Sequence, residues 1–163
     1  MSGVRLHLDD RELLAGTARL DQALEDMTPL MDAIGAQLVA NIEDRFDAEA
    51  GPEGKAWKPS LRALVEGGRT MTKSARLRDS MSYEPSAKSV AAGTNVIYAG
   101  IHQGGGVITP KSGKALQFRL PGGQYVTVAA VTIPERPFLG FDAEDRADIA
   151  ALSERYVAGE WRP

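Results

Sequence analysis

The stretch "YAGIHQGGG", residues 98–106, sets an imidazole and a side-chain amide against three consecutive glycines. A histidine beside a glycine loop suggests two chemistries: general acid–base catalysis, which needs a base that titrates near neutral pH, and phosphate binding by backbone N–H groups. Neither pattern is complete. A phosphate-cradling loop reads G-x-x-x-x-G-K-[ST], and a dinucleotide fingerprint follows a strand and opens a helix, whereas these glycines close a short helical segment. His102 also lacks a nucleophile, since no serine stands in a G-x-S-x-G elbow and the chain has no cysteine. The local reading is a histidine at a helix end, facing the free carbonyls at the negative end of the dipole. A hydrolase using His102 with an acidic partner is the competing reading.

Metal and carboxylate chemistry find less support. His7 and His102 lie in unlike contexts without HExxH spacing, so no metal and no cofactor is expected. In "IEDRFDAE", residues 42–49, Glu43 and Asp47 stand one helical turn apart with Asp44 beside them, on the face away from Ile42 and Phe46. A solvated helix face explains them, whereas paired catalytic carboxylates need a cleft and opposed environments. In "KSARLRDS", Lys73, Arg76 and Arg78 come together, and with Lys111 and Lys114 they are the cations by which a DNA-contacting subunit would grip phosphate. The chain carries 19 basic against 22 acidic side chains, a net charge of -3, which weighs against nucleic acid.

These residues need a scaffold. With 163 residues, 43% apolar and 25% charged, the chain has the size and makeup of one ordinary domain, helical over about 10–50 and mixed over about 51–163. Without cysteine the fold must hold by packing or with partner subunits. No run approaches the ~20 apolar residues that span a bilayer, and the start of the chain lacks the apolar core of a signal peptide. The expectation is a soluble chain in a reducing cytoplasm.

Asp9 and Asp10 are capping candidates for a first helix carrying Leu13, Leu14, Leu20, Leu24 and Met27. "TPL" opens a second, with Thr28 as N-cap and Pro29 at the first helical position. Leu30, Ile34, Leu38, Ile42 and Phe46, at intervals of four, draw one apolar stripe that Gly51-Pro52 ends. "GPEGKAWKPS" reads as a loop anchored by Trp57, followed by a short amphipathic piece over 60–65. "TKSARLRDSMSYEP" passes from a helical turn or two into a strand. After a strand ending near Thr94-Asn95, a short helix over 96–102 puts Ile97 and Ile101 in the core and Tyr98 and His102 on an adjoining face. "ALQFRL" and "QYVTVAAVTI", joined by the turn "LPGGQ", predict a β-hairpin over 116–131. "IPERPFLGF" is extended, because each proline biases the residue before it away from helix. Asp142 and Asp145 box the start of a last helix with Ile149, Leu152 and Tyr156 on one face. The sum is an α+β fold: N-terminal helices including one long amphipathic helix, a small antiparallel sheet with a hairpin, and a closing C-terminal helix.

In order along the chain, "GKAWKPS", "KSARLRDSMSYEP", "VAAGTNVIYAGIHQGGG" and "IPERPFLGF" resemble the phage virion morphogenesis family, the tail-completion proteins of tailed bacteriophages and prophages. The resemblance covers about residues 30–156. It implies a structural protein without enzyme activity, placed in the virion at the tail or neck and in the host cytoplasm during assembly. It would complete the tail and enable head–tail joining. The implied partners are tail-tube or tail-terminator subunits, head connector proteins, and further copies of the chain in a ring. Because tail tubes are sixfold, a hexamer is the expectation. The segment "VITPKSGKALQFRLPGGQYVTVAAVT" departs from the family pattern as a compact hairpin-like insert, suited to reach a lumen or a neighbour.

Under this resemblance the motif residues have structural or interfacial roles. Gly104 and Gly105 permit positive φ and close approach. His102 and Gln103 become hydrogen-bonding residues at a turn or an interface, and Trp57 anchors either the core, which is favoured, or an interface. In "RPFLG", Pro137 fixes φ, Phe138 and Leu139 are buried, and Arg136 pairs with a carboxylate.

Overall fold

The apolar stripe at intervals of four becomes the spine of the molecule. In the computed structural model, which describes residues 11–159, Leu30, Ile34, Leu38, Ile42 and Phe46 of α2 (Thr28–Ala48) are all buried. Two clusters lie along it. Leu30, Ile34 and Leu38 meet Ile149, Leu152 and Tyr156 of α5 (Ala143–Val157), the face that their spacing predicts. Ile42 and Phe46 meet Trp57, Leu77, Met81, Ala99 and Phe138. The rings of Trp57 and Phe138 each stand 5.3 Å from Phe46, Trp57 edge-on. Such aromatic pairs contribute about 0.5–1.5 kcal/mol beyond the area they bury.

Both ends of α2 differ from expectation. Thr28 is already helical and Met27 is the N-cap; the capping oxygen belongs to Asp26, whose carboxylate accepts from the Thr28 N–H at 3.0 Å and its hydroxyl at 2.6 Å. The helix stops at Ala48, before Gly51-Pro52, because Glu49 turns left-handed at φ 53° and returns its N–H to the Arg45 carbonyl. Glu49 then holds the following loop. Its carbonyl accepts the Trp57 N–H at 2.7 Å and its carboxylate accepts the Thr70 N–H. A single bridge between Ala50 and Ala56 closes the loop, which delivers Trp57 to the core.

The expected small sheet is three separate two-stranded antiparallel ladders. β1 (Ser82–Pro85) and β2 (Val90–Gly93) pack across α2, where a Cβ at Gly35 would fall on the Tyr83 ring. β3 (Gly106–Ile108) pairs with β6 (Val131–Ile133), and β4 (Leu116–Arg119) with β5 (Tyr125–Val128). The predicted hairpin is therefore present as β4–β5, but Val131 leaves it to pair with Ile108. Residues 106–133 form one arm of two tiers, a root ladder and a tip ladder.

Short helices fill the middle. α3 (Leu61–Glu66) is capped by the Ser60 hydroxyl, and a 3-10 turn at Arg78–Ser80 precedes β1. α4 (Ala99–Gly104) begins three residues later than the predicted 96–102. That shift turns Ala99 inward, leaves Ile101 half-buried, and puts Ile97, expected in the core, fully in solvent. α1 (Arg11–Glu25) precedes the spine; its capping candidates Asp9 and Asp10, like His7, lie outside the described residues. No described helix is long and apolar enough to cross a membrane.

Candidate functional site

Residues 134–142 cross the second cluster without regular secondary structure. A backbone so placed must still find partners for its N–H and C=O groups. This strap finds most of them in side chains. Gln103, at the end of α4, accepts the N–H groups of Phe138 and Leu139 through Oε1 at 3.0 Å each, and donates from Nε2 to the Leu139 carbonyl at 2.8 Å. Trp57 Nε1 donates to the Pro137 carbonyl at 2.9 Å. Arg45 Nη1 donates to the carbonyls of Phe138 at 3.1 Å and Gly140 at 3.0 Å. Gln103 thus does for the strap what a neighbouring strand would do.

Arg45 continues into an acidic cluster. Its Nη2 bonds Asp142 at 2.8 Å and the fully buried Asp145, and Asn41 Nδ2 reaches Asp145 at 2.9 Å and Asp148 at 3.1 Å. Asp142 and Asp145 also form the predicted capping box at the start of α5. Burial alone would raise the pKa of the Asp142 carboxyl. The Asp145 and Glu144 N–H groups and the Arg45 guanidinium outweigh it and hold the group below the usual carboxylate range. Sequence reasoning passed over Arg45, although a signal was present: it stands seven residues after Leu38, hence on the buried face.

The predicted motif residues gather around the strap, with changed bonding for two. Arg136, expected to meet a carboxylate, donates from Nε to the Lys58 carbonyl at 2.7 Å, and burial lowers its pKa. His102, expected to bond free carbonyls through its ring, uses its backbone instead: its carbonyl accepts the Arg136 N–H at 2.7 Å. The ring stands edge-on to Tyr98 at 6.0 Å, and Nδ1 is buried with no partner among the described residues. Phe138 is fully buried, Trp57 nearly so, and Pro137, whose carbonyl accepts from the Trp57 ring, is half-buried on the strap.

Gly105 is required where it stands. Its φ is +65°, and a Cβ there would lie 2.8 Å from the Glu135 nitrogen and 3.0 Å from the Ile133 oxygen, so only glycine lets the arm root close on the strap. Gly104 has no positive φ and no atom within 4 Å of an added Cβ, so close approach does not explain it.

Burial first, and the nearby Arg136 second, push the His102 pKa below its ordinary value of 6.5. Folding therefore favours the neutral ring, and its contribution to stability is complete above pH 6.5 and declines as pH falls through the lowered folded-state value. Thermal unfolding across that range should show a slope that His102→Phe flattens; an unchanged slope would assign the acid sensitivity elsewhere.

Of the cations and acids weighed for other chemistry, Asp47, Arg78 and Lys73 are engaged in ion pairs. Asp47 pairs with Arg69 and, at 3.5 Å, with Arg78, while Arg78 also holds Asp79 at 2.8 Å and Lys73 lies 3.7 Å from Glu66. Among the described residues no group of three or more His, Cys, Asp or Glu could hold a metal ion. What the surface does offer is apolar. A groove of about 710 Å³ runs beside the strap past Pro52, Trp57, Pro134, Pro137 and Phe141, and Phe141 is 60% exposed. The arm presents Val107, Ile108, Phe118 and Tyr125 to solvent.

Comparison with known proteins places the chain in a family. The phage virion morphogenesis family matches residues 8–158. The Mu-like prophage FluMu G protein 2 of Haemophilus influenzae is 30% identical over 139 residues, which cover 85% of this chain and 84% of that protein. No solved structure matches the chain significantly. With a family match that spans nearly all of its length, the chain belongs to the phage virion morphogenesis family and serves phage virion assembly.

Proposed function

We propose that this chain completes the phage tail and enables head–tail joining at the neck, acting by protein contacts in a homo-oligomeric ring. Its partners in this reading are tail-tube or tail-terminator subunits and head connector proteins, and its place is the tail or neck of the virion. The observation that carries the proposal is the arm, residues 106–133. Its root ladder is fastened to the strap through Gly105, while Tyr125 near its tip is 77% exposed. Isolated two-stranded ladders are marginal in water, and their unpaired edges invite another chain. An arm with this construction gains by lying against a partner.

In this reading Trp57, Gln103, Gly105, Arg136, Pro137 and Phe138 act from within, fixing the strap and so the direction of the arm, and His102 and Gly104 complete the turn into it. Replacing residues 109–130 with an Asn-Gly turn tests it, because Ile108 and Val131 are paired and the root ladder would close as a hairpin. The shortened protein should keep its thermal midpoint within a few degrees. Supplied to a phage lacking the gene, it should leave filled heads and unjoined tails, with infectious particles down by orders of magnitude. Normal particle yield would sink the role of the arm.

A further inference from the structure

Two helices leave apolar faces uncovered, and their surroundings carry opposite charge. α1 is held at its C-terminal end, where the Tyr156 hydroxyl donates to the carbonyls of Ala23 at 2.9 Å and Asp26 at 3.2 Å. Along its length Leu20 is 37% and Leu24 44% exposed. These two leucines stand one turn apart on the face that Gly16 shares, flanked by Asp21 and Glu25. A helix of 15 residues is marginal in water unless its apolar face is covered. On α3, Leu61, Leu64 and Val65 are 51%, 69% and 56% exposed, and their i, i+3, i+4 spacing makes them one face. α3 borders a hollow of about 600 Å³ where Arg62, Lys73 and Arg119 face a single acid, Glu66.

We propose that α1 of one copy docks on the α3 face of a second copy, with Asp21 and Glu25 set toward Arg62, Lys73 and Arg119. This deepens the ring reading and rests on it. The contact is heterologous: each copy offers α1 to one neighbour and α3 to the other, the arrangement that generates a ring when the rotation closes. Charge selects it over self-pairing, since an antiparallel two-fold pair of α1 helices sets the Asp21 and Glu25 flank against itself.

Mixing variants of the full chain tests the assignment. Leu20→Asp/Leu24→Asp removes one face and Leu61→Asp/Leu64→Asp the other, and solution mass is read by light scattering over a concentration series. The wild type should form higher oligomers, each variant alone should be a monomer, and their equimolar mixture should stop at the dimer, because each supplies the face that the other lacks. Three results would overturn the proposal: a mixture that stays monomeric while the wild type associates, an α3 variant that still dimerises by itself, or a wild type that is monomeric up to its solubility limit. Circular dichroism checks folding of the variants; if either misfolds, the charge reversals Asp21→Lys/Glu25→Lys and Lys73→Glu/Arg119→Glu replace them, each alone a monomer. Here the mixture should regain higher oligomers because the reversed charges restore both contacts, while a mixture that stays monomeric overturns the proposal. Tail completion is scored separately by rescue of a phage lacking the gene. Rescue by the wild type together with failed mixing sinks this interface and leaves tail completion standing.

Discussion

Arg45→Met should lower the unfolding free energy by about 3–5 kcal/mol, the usual cost of removing one member of a buried ion pair. Three losses coincide. The fully buried Asp145 carboxyl would be left with only Asn41 and the Asp142 N–H as partners, and the strap carbonyls of Phe138 and Gly140 would lose their donor. A buried group left unpaired loses its hydration without compensation, which weighs more than the bond itself. Urea unfolding measures the loss, and the double variant Arg45→Met/Asp145→Leu separates its parts. The double variant should recover some stability, because no orphan charge remains; a double variant as unstable as the sum of its singles would show that the two residues act independently.

The second contact of Arg45, with Asp142, predicts an acid response. Since the folded-state pKa of Asp142 lies below its ordinary 3.8, its contribution to stability is complete above that value and is lost as pH falls through the lowered one. Arg45→Met removes one of the groups that depress it, so in the variant the acid-dependent loss should be smaller and should be complete at a higher pH.

Gln103→Leu should cost about 2–5 kcal/mol, for it orphans two N–H groups and one carbonyl of the strap while keeping nearly the same volume. In a chain of this size that is a drop in thermal midpoint on the order of 10 °C. Gln103→Glu keeps the acceptor for Phe138 and Leu139 but has no donor for the Leu139 carbonyl, so its loss should be smaller. Amide hydrogen exchange gives the site-specific readout: the Phe138 and Leu139 amides should exchange much faster in Gln103→Leu, and unchanged protection would mean that the strap is held by Phe138 packing alone. Because the arm is rooted beside the strap, Gln103→Leu should also depress head–tail joining with the arm sequence intact.

Much of this architecture was legible one residue at a time. The spine helix, the closing helix with its capping box, the extended strap and the β4–β5 turn all follow from local rules: apolar spacing, an aspartate three residues before its partner, proline before which helix is disfavoured, and paired glycines. Ile97 shows where such rules slip. With α4 starting at 99 rather than 96, Ile97 falls in the turn before the helix and loses its one-turn relation to Ile101, and a segment of six residues has too little periodicity to fix its own limits.

Local preference set which segments could be helix, strand or strap, because such preferences are settled between residues at most a few positions apart. Long-range packing is what joins Val131 to β3 rather than to the hairpin beside it, brings Arg136 to a carbonyl, and makes Arg45 and Gln103 the partners of the strap. Arg45 bonds a carbonyl 93 residues away and Gln103 an N–H 35 residues away. A side chain that takes the place of a neighbouring strand leaves no period in the sequence, since what selects it is the unmet hydrogen bonds of a distant backbone brought against it by the packing of Phe46, Trp57 and Phe138.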